Sequence, residues 1–273
     1  MGGAASMPAA HADGVEALPQ YAPARVLAIW AAAALPMGVL GWVVAPAVAE
    51  ASGSPILARI GVLTVGLAWQ FVLVVLLLRR EGCEARWADI RARLWLQSPR
   101  APGTGEARGR LWWWLVPVVI ATAAYDLGLK ATVDRAWIAL LPFLAEPSAW
   151  SLNGALATPE ARAELHGAWG TLVLYAANAL LNTVLGEELL FRGILLPRMR
   201  GAFGRSDWLA NGVLFGLYHL HQPWGMVSSI VHGTVLYGLP TRRFRSEWFG
   251  IAAHSGQSVF FLVLLLGLVL GLG

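Results

Sequence analysis

The sequence predicts an all-α polytopic membrane protein with about seven transmembrane helices. Three observations carry this reading. Of 273 residues, 57% are hydrophobic and only 13% charged, whereas a soluble domain carries about 25% charged residues. The mean hydropathy is +0.59. Seven apolar segments recur along the chain, at 26–48, 56–78, 111–130, 168–190, 208–221, 226–240 and 248–270. Most approach the roughly 20 residues that cross a bilayer.

Residues 1–25 read as a polar N-terminal tail, and 26–273 as a single transmembrane domain. The tail lacks the basic and apolar regions of a cleaved signal peptide. Met1-Gly2 opens like a myristoylation site, but Ala5-Ser6 fits that pattern poorly. The fifth and sixth spans are short, and HQPWG between them (221–225) reads as a tight turn at a membrane face. The stretch 135–145 is too short to span and is expected to be interfacial or re-entrant. The lone Cys83 excludes an internal disulfide. No internal repeat is evident.

Arginine orients the chain. Loop 79–110 carries Arg79, Arg80, Arg86, Arg91, Arg93, Arg100, Arg108 and Arg110; loop 191–207 carries Arg192, Arg198, Arg200 and Arg205; loop 241–247 carries Arg242, Arg243 and Arg245. Loop 131–167 is acid-balanced, with Asp134, Glu146, Glu160 and Glu164 against Arg135 and Arg162. Seven spans put the three basic loops on one side, with the N-terminus inside and the C-terminus outside. The net charge of +4 thus reads as topology rather than as a nucleic-acid footprint. Trp112, Trp113, Trp114, Trp208 and Trp248 fall at span starts, where an aromatic belt belongs.

The chemistry lies in polar residues that interrupt apolar runs. A charge at the bilayer centre costs roughly 2.5–3.5 kcal/mol on insertion scales, so each is a candidate functional group. In GEELLFRG (186–193), Glu188 and Arg192 are at i,i+4 and can pair. Glu187 points about 100° away and needs a partner across the bundle. His219 follows Phe215 by four residues in FGLYH, with Asn211 a turn earlier. His254 precedes Ser258 by four in HSGQS. At 1.5 Å per residue, Glu187, His219 and His254 lie about 16, 18 and 10 Å from Arg198, Asp207 and Glu247, on the basic half of the bundle.

A carboxylate beside an imidazole can activate water as a general base. A second imidazole with a hydroxyl can hold the oxyanion of a tetrahedral intermediate. Alternatively, Glu187, His219 and His254 are three ligands of a catalytic Zn²⁺, although no HExxH occurs. Asn178 and Asn182 read as packing residues that can line the cavity, His232 as a packing histidine that can join the site, and His221 as a turn residue. Asp126 reads as solvated at a span end, and Gln257 as pointing away.

EELLFR matches the EExxxR motif, and FGLYH the FxxxH motif, of the CPBP family of CAAX proteases and bacteriocin-processing proteins, related to the type II CAAX prenyl endopeptidase. HSGQS resembles its third motif, HxxxN, with serine for asparagine. The three stand in family order over 186–258. The resemblance implies that Glu187 and His219 activate water, that Glu188 and Arg192 support the site, and that His254 stabilises the oxyanion. Ser258 stands where the family has a second oxyanion ligand, and losing one such donor can cost about 10²–10³ in rate. The family has been described both as metal-dependent and as glutamic-type.

The expected function is therefore an intramembrane endopeptidase of a bacterial inner membrane. It would cleave near the C-terminus or membrane anchor of a protein or peptide substrate held in the lipid bilayer. The site is expected to open to the inside half. Two rivals stand beside this reading. One is a catalytically weak or dead member acting as a scaffold or immunity factor, which Ser258 favours. The other is a proton-coupled transporter, against which the missing repeat counts.

Overall fold

The structure, a computed structural model, describes residues 18–151, 163 and 165–272. Most of the expected tail, with Glu160, Arg162 and Glu164, lies outside these residues. The chain is all-α, with no strand among the described residues. Four helices are long and apolar enough to cross a membrane: α1 (Pro23–Ser52), α2 (Pro55–Arg80), α4 (Gly109–Gly128) and α9 (Trp248–Val269). Between them lie short α3 (Trp87–Arg93), α5 (Lys130–Leu140), α6 (169–198), α7 (Asp207–Tyr218) and α8 (226–244).

The expected seven spans thus divide into two kinds. Segments 168–190, 208–221 and 226–240 are helical but not long uninterrupted apolar helices. Wide π-helical turns break α6 at Leu181–Gly186 and Leu189–Leu195, and α8 at His232–Gly238. α7 ends after twelve residues. These three elements carry the polar interior. The long helices instead expose Leu35, Val65, Val72, Ile120, Val259, Phe260 and Val263, the surface that lipid covers.

Local sequence explains the breaks. Pro36 sits inside α1, where it cannot donate to the carbonyl four residues back. That carbonyl, Ala32 O, accepts Trp69 Nε1 at 2.9 Å instead, so the lost rung becomes a tie to α2. Trp30 Nε1 likewise donates to Leu214 O at 2.8 Å and joins α1 to α7. In α7 the GVLFG segment packs on α8. A Cβ at Gly216 would come within 2.9 Å of Ile230 N, and one at Gly233 within 2.9 Å of Gly212 O. Small residues let the backbones touch, which is how helices associate without a water-driven hydrophobic force.

Two arginines assigned to loop 191–207 are not in a loop. Arg192 and Arg198 are both fully buried in helical backbone, so neither marks the basic face. Arg198 donates to Glu81 at 2.6 and 2.7 Å and to Ile194 O at 2.9 Å. The Tyr21 hydroxyl also bonds Glu81, and Tyr21 N donates to Arg198 O at 2.8 Å. The tail's last residues are therefore pinned to α6, and the helix begins at Pro23 rather than 26. Stretch 135–145 forms the end of α5 and a 3₁₀ turn; Leu140 and Phe143 are exposed, as an interfacial segment requires.

Burial pushes the Glu81 carboxyl up, but bonds from Arg198 and Tyr21 and the Arg198 and Arg93 charges outweigh it and hold the carboxyl below its usual value. A group lowered in the fold takes up its proton more readily when unfolded. Its stabilisation is complete above the ordinary carboxylate range and vanishes as pH falls through the folded value. Arg198→Ala leaves Glu81 buried and under-paired and should cost about 3–5 kcal/mol. Melting of the solubilised protein checks this, and a Glu81→Gln, Arg198→Met double variant should lose less melting temperature on acidification than the parent. An equal acid response in the two would disprove the latch.

Candidate active site

The π turns of α6 bracket the glutamate pair. On an α-helix Asn182 and Glu187 lie about 140° apart; the i→i+5 winding of a π turn brings them together. The Asn182 amide, with its nitrogen toward the carboxylate, donates to both Glu187 oxygens at 2.9 and 3.0 Å. A Cβ at Gly186 would come within 2.9 Å of Leu67 O, so glycine lets this wide turn lie against α2. From α7 the Tyr218 hydroxyl also hydrogen-bonds Glu187, and it accepts Gln70 Nε2 of α2 at 2.7 Å. Glu187 thus finds its partners across the bundle.

Glu188 does a different job. Its Oε1 accepts from Arg192 at 3.0 Å and bonds His254 Nδ1 at 2.9 Å. Its other oxygen lies against Gly250, where any Cβ would collide with it. Arg192 stacks 3.9 Å from the centre of the Phe215 ring, a cation–π contact in a dry interior. Phe215 also meets His219 and His254 edge-on, at 4.9 and 6.1 Å between centroids. Tyr237 stacks on His254 at 4.9 Å. The phenylalanine of FGLYH is therefore the hub that spaces the cation and both imidazoles.

Helix termination orients His219. The last turn of α7 tightens, and the His219 N–H bonds Gly216 O. This leaves Phe215 O free, and His219 Nδ1 takes it at 2.8 Å. A carbonyl only accepts, so Nδ1 carries the proton and Nε2 is a lone-pair acceptor. His254 is held differently: its Nδ1 bonds the Glu188 carboxylate at 2.9 Å, which leaves Nε2 available. The turn after His219 is clamped by Arg59, buried in α2, which donates to His221 O at 2.5 Å and Gly41 O at 3.4 Å. Arg59 also stacks 4.3 Å from Trp150 and 5.4 Å from Trp224.

Glu187, His219 and His254 line one cavity of about 240 Å³, with Asn182, His232, Tyr237 and Gln257, room for several waters. Glu188 and Arg192 stay behind its wall. His232 bonds Asp126 at 2.8 Å, so Asp126 is paired rather than solvated and His232 belongs to the cavity. Asn178 instead bonds Thr64 at 2.9 Å and Asn211 bonds Phe191 O at 2.7 Å; both are packing residues. Lys130, Gln222, Trp224 and Gly225 also line the cavity. They follow the helix ends opposite the arginine loops, so the cavity reaches that face rather than the basic half. The depth reckoning missed this because α7 stops at His219 instead of crossing.

Of the two polar residues that follow His254 by three and four positions, Gln257 lines the cavity and Ser258 is half-buried one position further on. Asn182, Tyr218 and Gln257 were missed or discounted because an α-helical phase was assumed and neighbouring-helix contacts are invisible in sequence. Gln70 and Arg59 did leave a signal, as the polar residues in the middle of one apolar helix. The zinc reading does not fit. Among the described residues no three His, Cys, Asp or Glu side chains are grouped to hold a metal ion, and Asn182 and Tyr218 already bond Glu187.

The fold and site define an integral membrane protein, all-α, with a carboxylate and two imidazoles lining one cavity. Residues 168–260 match the family described as type II CAAX prenyl endopeptidase Rce1-like. The match covers about a third of the chain and holds α6, α7, α8 and the front of α9. No curated protein and no solved structure matches the chain.

Gly250→Ala should push Glu188 off its seat and release His254. The expected outcome is a protein that still inserts but melts lower and loses most of its activity. A Gly250→Ala protein with parental melting and activity would mean that Glu188 does not sit against this backbone.

Proposed function

We propose that the protein is an intramembrane endopeptidase that hydrolyses a peptide bond near the C-terminus or membrane anchor of a protein substrate. One observation carries the reading: Glu187 shares a cavity with two imidazoles held by different partners, His219 by the Phe215 carbonyl and His254 by the Glu188 carboxylate. Water held between Glu187 and His219 Nε2 gives its proton to Glu187 while its oxygen attacks the scissile carbonyl carbon. His254 Nε2–H stabilises the oxyanion. Collapse breaks the C–N bond, and Glu187 returns the proton to the leaving amine, giving a carboxylate and an amine.

Gln257 supplies the amide donor for which Ser258 was expected. On this reading the Ser258 substitution no longer argues for an inactive scaffold. Lys130, held by Asp134 at 2.7 Å, puts an ammonium in the cavity lining and suits a substrate carboxylate near the cut. The Ala/Arg/Gly-rich composition points to a GC-rich bacterium, hence to its inner membrane and away from a prenylated substrate.

Glu187→Gln and His219→Ala should each lower cleavage of a reporter with a hydrophobic C-terminal tail by about 10²–10⁴, with insertion and melting preserved. If both variants cleave at the parental rate, the mechanism fails. Gln257→Ala should cost about 10²–10³, whereas Ser258→Asn should gain nothing. A gain from asparagine at 258 would return the second oxyanion ligand to that position.

A further inference from the structure

A second concavity lies away from the cavity that holds Glu187. Residues 100–105 and the end of α8 enclose about 350 Å³ lined by Arg100, Arg242, Arg243 and Arg245, with Leu239 at its edge. Arginines on one membrane face are ordinary topology determinants, and scattered loop arginines need no ligand. These four are not scattered. Residues 95–100 and 244–247 are stapled together: Arg100 N donates to Phe244 O at 2.8 Å, Ser246 Oγ to Gln97 O at 2.6 Å, and Glu247 N to Trp95 O at 2.8 Å. The backbone of Arg245 is left-handed, with φ of 47°, an uncommon and costly state for a residue with a side chain.

Asp207 takes Arg242 at 2.6 Å, and Arg100 donates to Gly105 O at 3.0 Å. Arg243 and Arg245 have no side-chain partner among the described residues. Partial burial and the neighbouring guanidiniums of Arg242, Arg200 and Arg100 pull Arg245 below its ordinary value, so the fold presses like charges together. Phe244 packs on Trp114, 6.0 Å between centroids, and Trp113, Trp114 and Trp248 are exposed around it, as interfacial tryptophans are.

We infer that this arginine-lined concavity binds a phosphate group. Guanidinium forks match phosphate oxygens in pairs, an anion relieves the mutual repulsion, and the apolar rim at Leu239 suits the acyl end of a phospholipid whose headgroup lies among basic residues.

Melting of the full-length protein in neutral detergent tests the site. The additives are dioctanoyl phosphatidylglycerol, inorganic phosphate, and dioctanoylglycerol, which lacks the phosphate, all at matched ionic strength. A saturable rise with the phospholipid, absent with dioctanoylglycerol, and an apparent affinity at least about tenfold weaker in the Arg243→Gln, Arg245→Gln variant would support a lipid-headgroup site. The same pattern with inorganic phosphate alone would support the site and identify a free anion as its source. No saturable shift with either, or an unchanged affinity in the double variant, overturns the proposal. Native mass spectrometry of bound phospholipid in parent and variant gives a second readout, independent of variant stability.

Discussion

The carboxylate of Glu188 is the constraint on which the site depends. It is fully buried where water cannot compensate it, and its Oε1 bonds both Arg192 and His254. Breaking such a pair strands a charge, at about 3–5 kcal/mol, so the geometry around it is fixed. Arg192 must lie over Phe215, α9 must approach closely enough that position 250 is glycine, and His254 must turn its free nitrogen to the cavity. Glu247, also buried, adds a second carboxylate beside this network.

The same logic separates the two glutamates. Glu188 is consumed by structure and lies behind the wall, while Glu187 is held by neutral donors, Asn182 and Tyr218, and keeps its basicity for the cavity. A neutral amide and a phenol can aim a carboxylate without an ion pair that would hold it inert. Both depend on departures from the regular α-helix: the π turns around 187 and 188 bring Asn182 into reach, and the early end of α7 frees the Phe215 carbonyl that fixes His219. π turns are commonly found at functional sites for this reason.

The remaining helices act as a frame. α1 and α2 offer lipid an apolar face and send Trp30, Trp69, Gln70 and Arg59 inward to carbonyls of α1, α7 and the turn after it and to the Tyr218 hydroxyl. In a medium without water each such group must find a protein partner, so the irregular core and the regular shell require one another. The Glu81–Arg198–Tyr21 latch plays the same part at the arginine-rich end, where it ties the chain before α1 to the end of α6.

Much of this was legible in the sequence. Hydropathy alone gave the all-α membrane class, because nearly every long segment is apolar and none alternates. Charges in apolar runs marked Glu187, Glu188, Arg192, His219 and His254, because lipid makes each of them costly. The i,i+4 pairing of Glu188 with Arg192 followed from helix geometry. The tertiary structure decided what depends on helix phase and on neighbours in space: that two of the expected spans are interrupted by π turns and a third stops after twelve residues, that Arg192 and Arg198 are buried, that the cavity reaches the face opposite the arginine loops, and that Gln257 lines it. Period and polarity are properties of one segment and can be read along it. The side of a helix that faces a cavity is set by which neighbours pack against it, and no single segment encodes that.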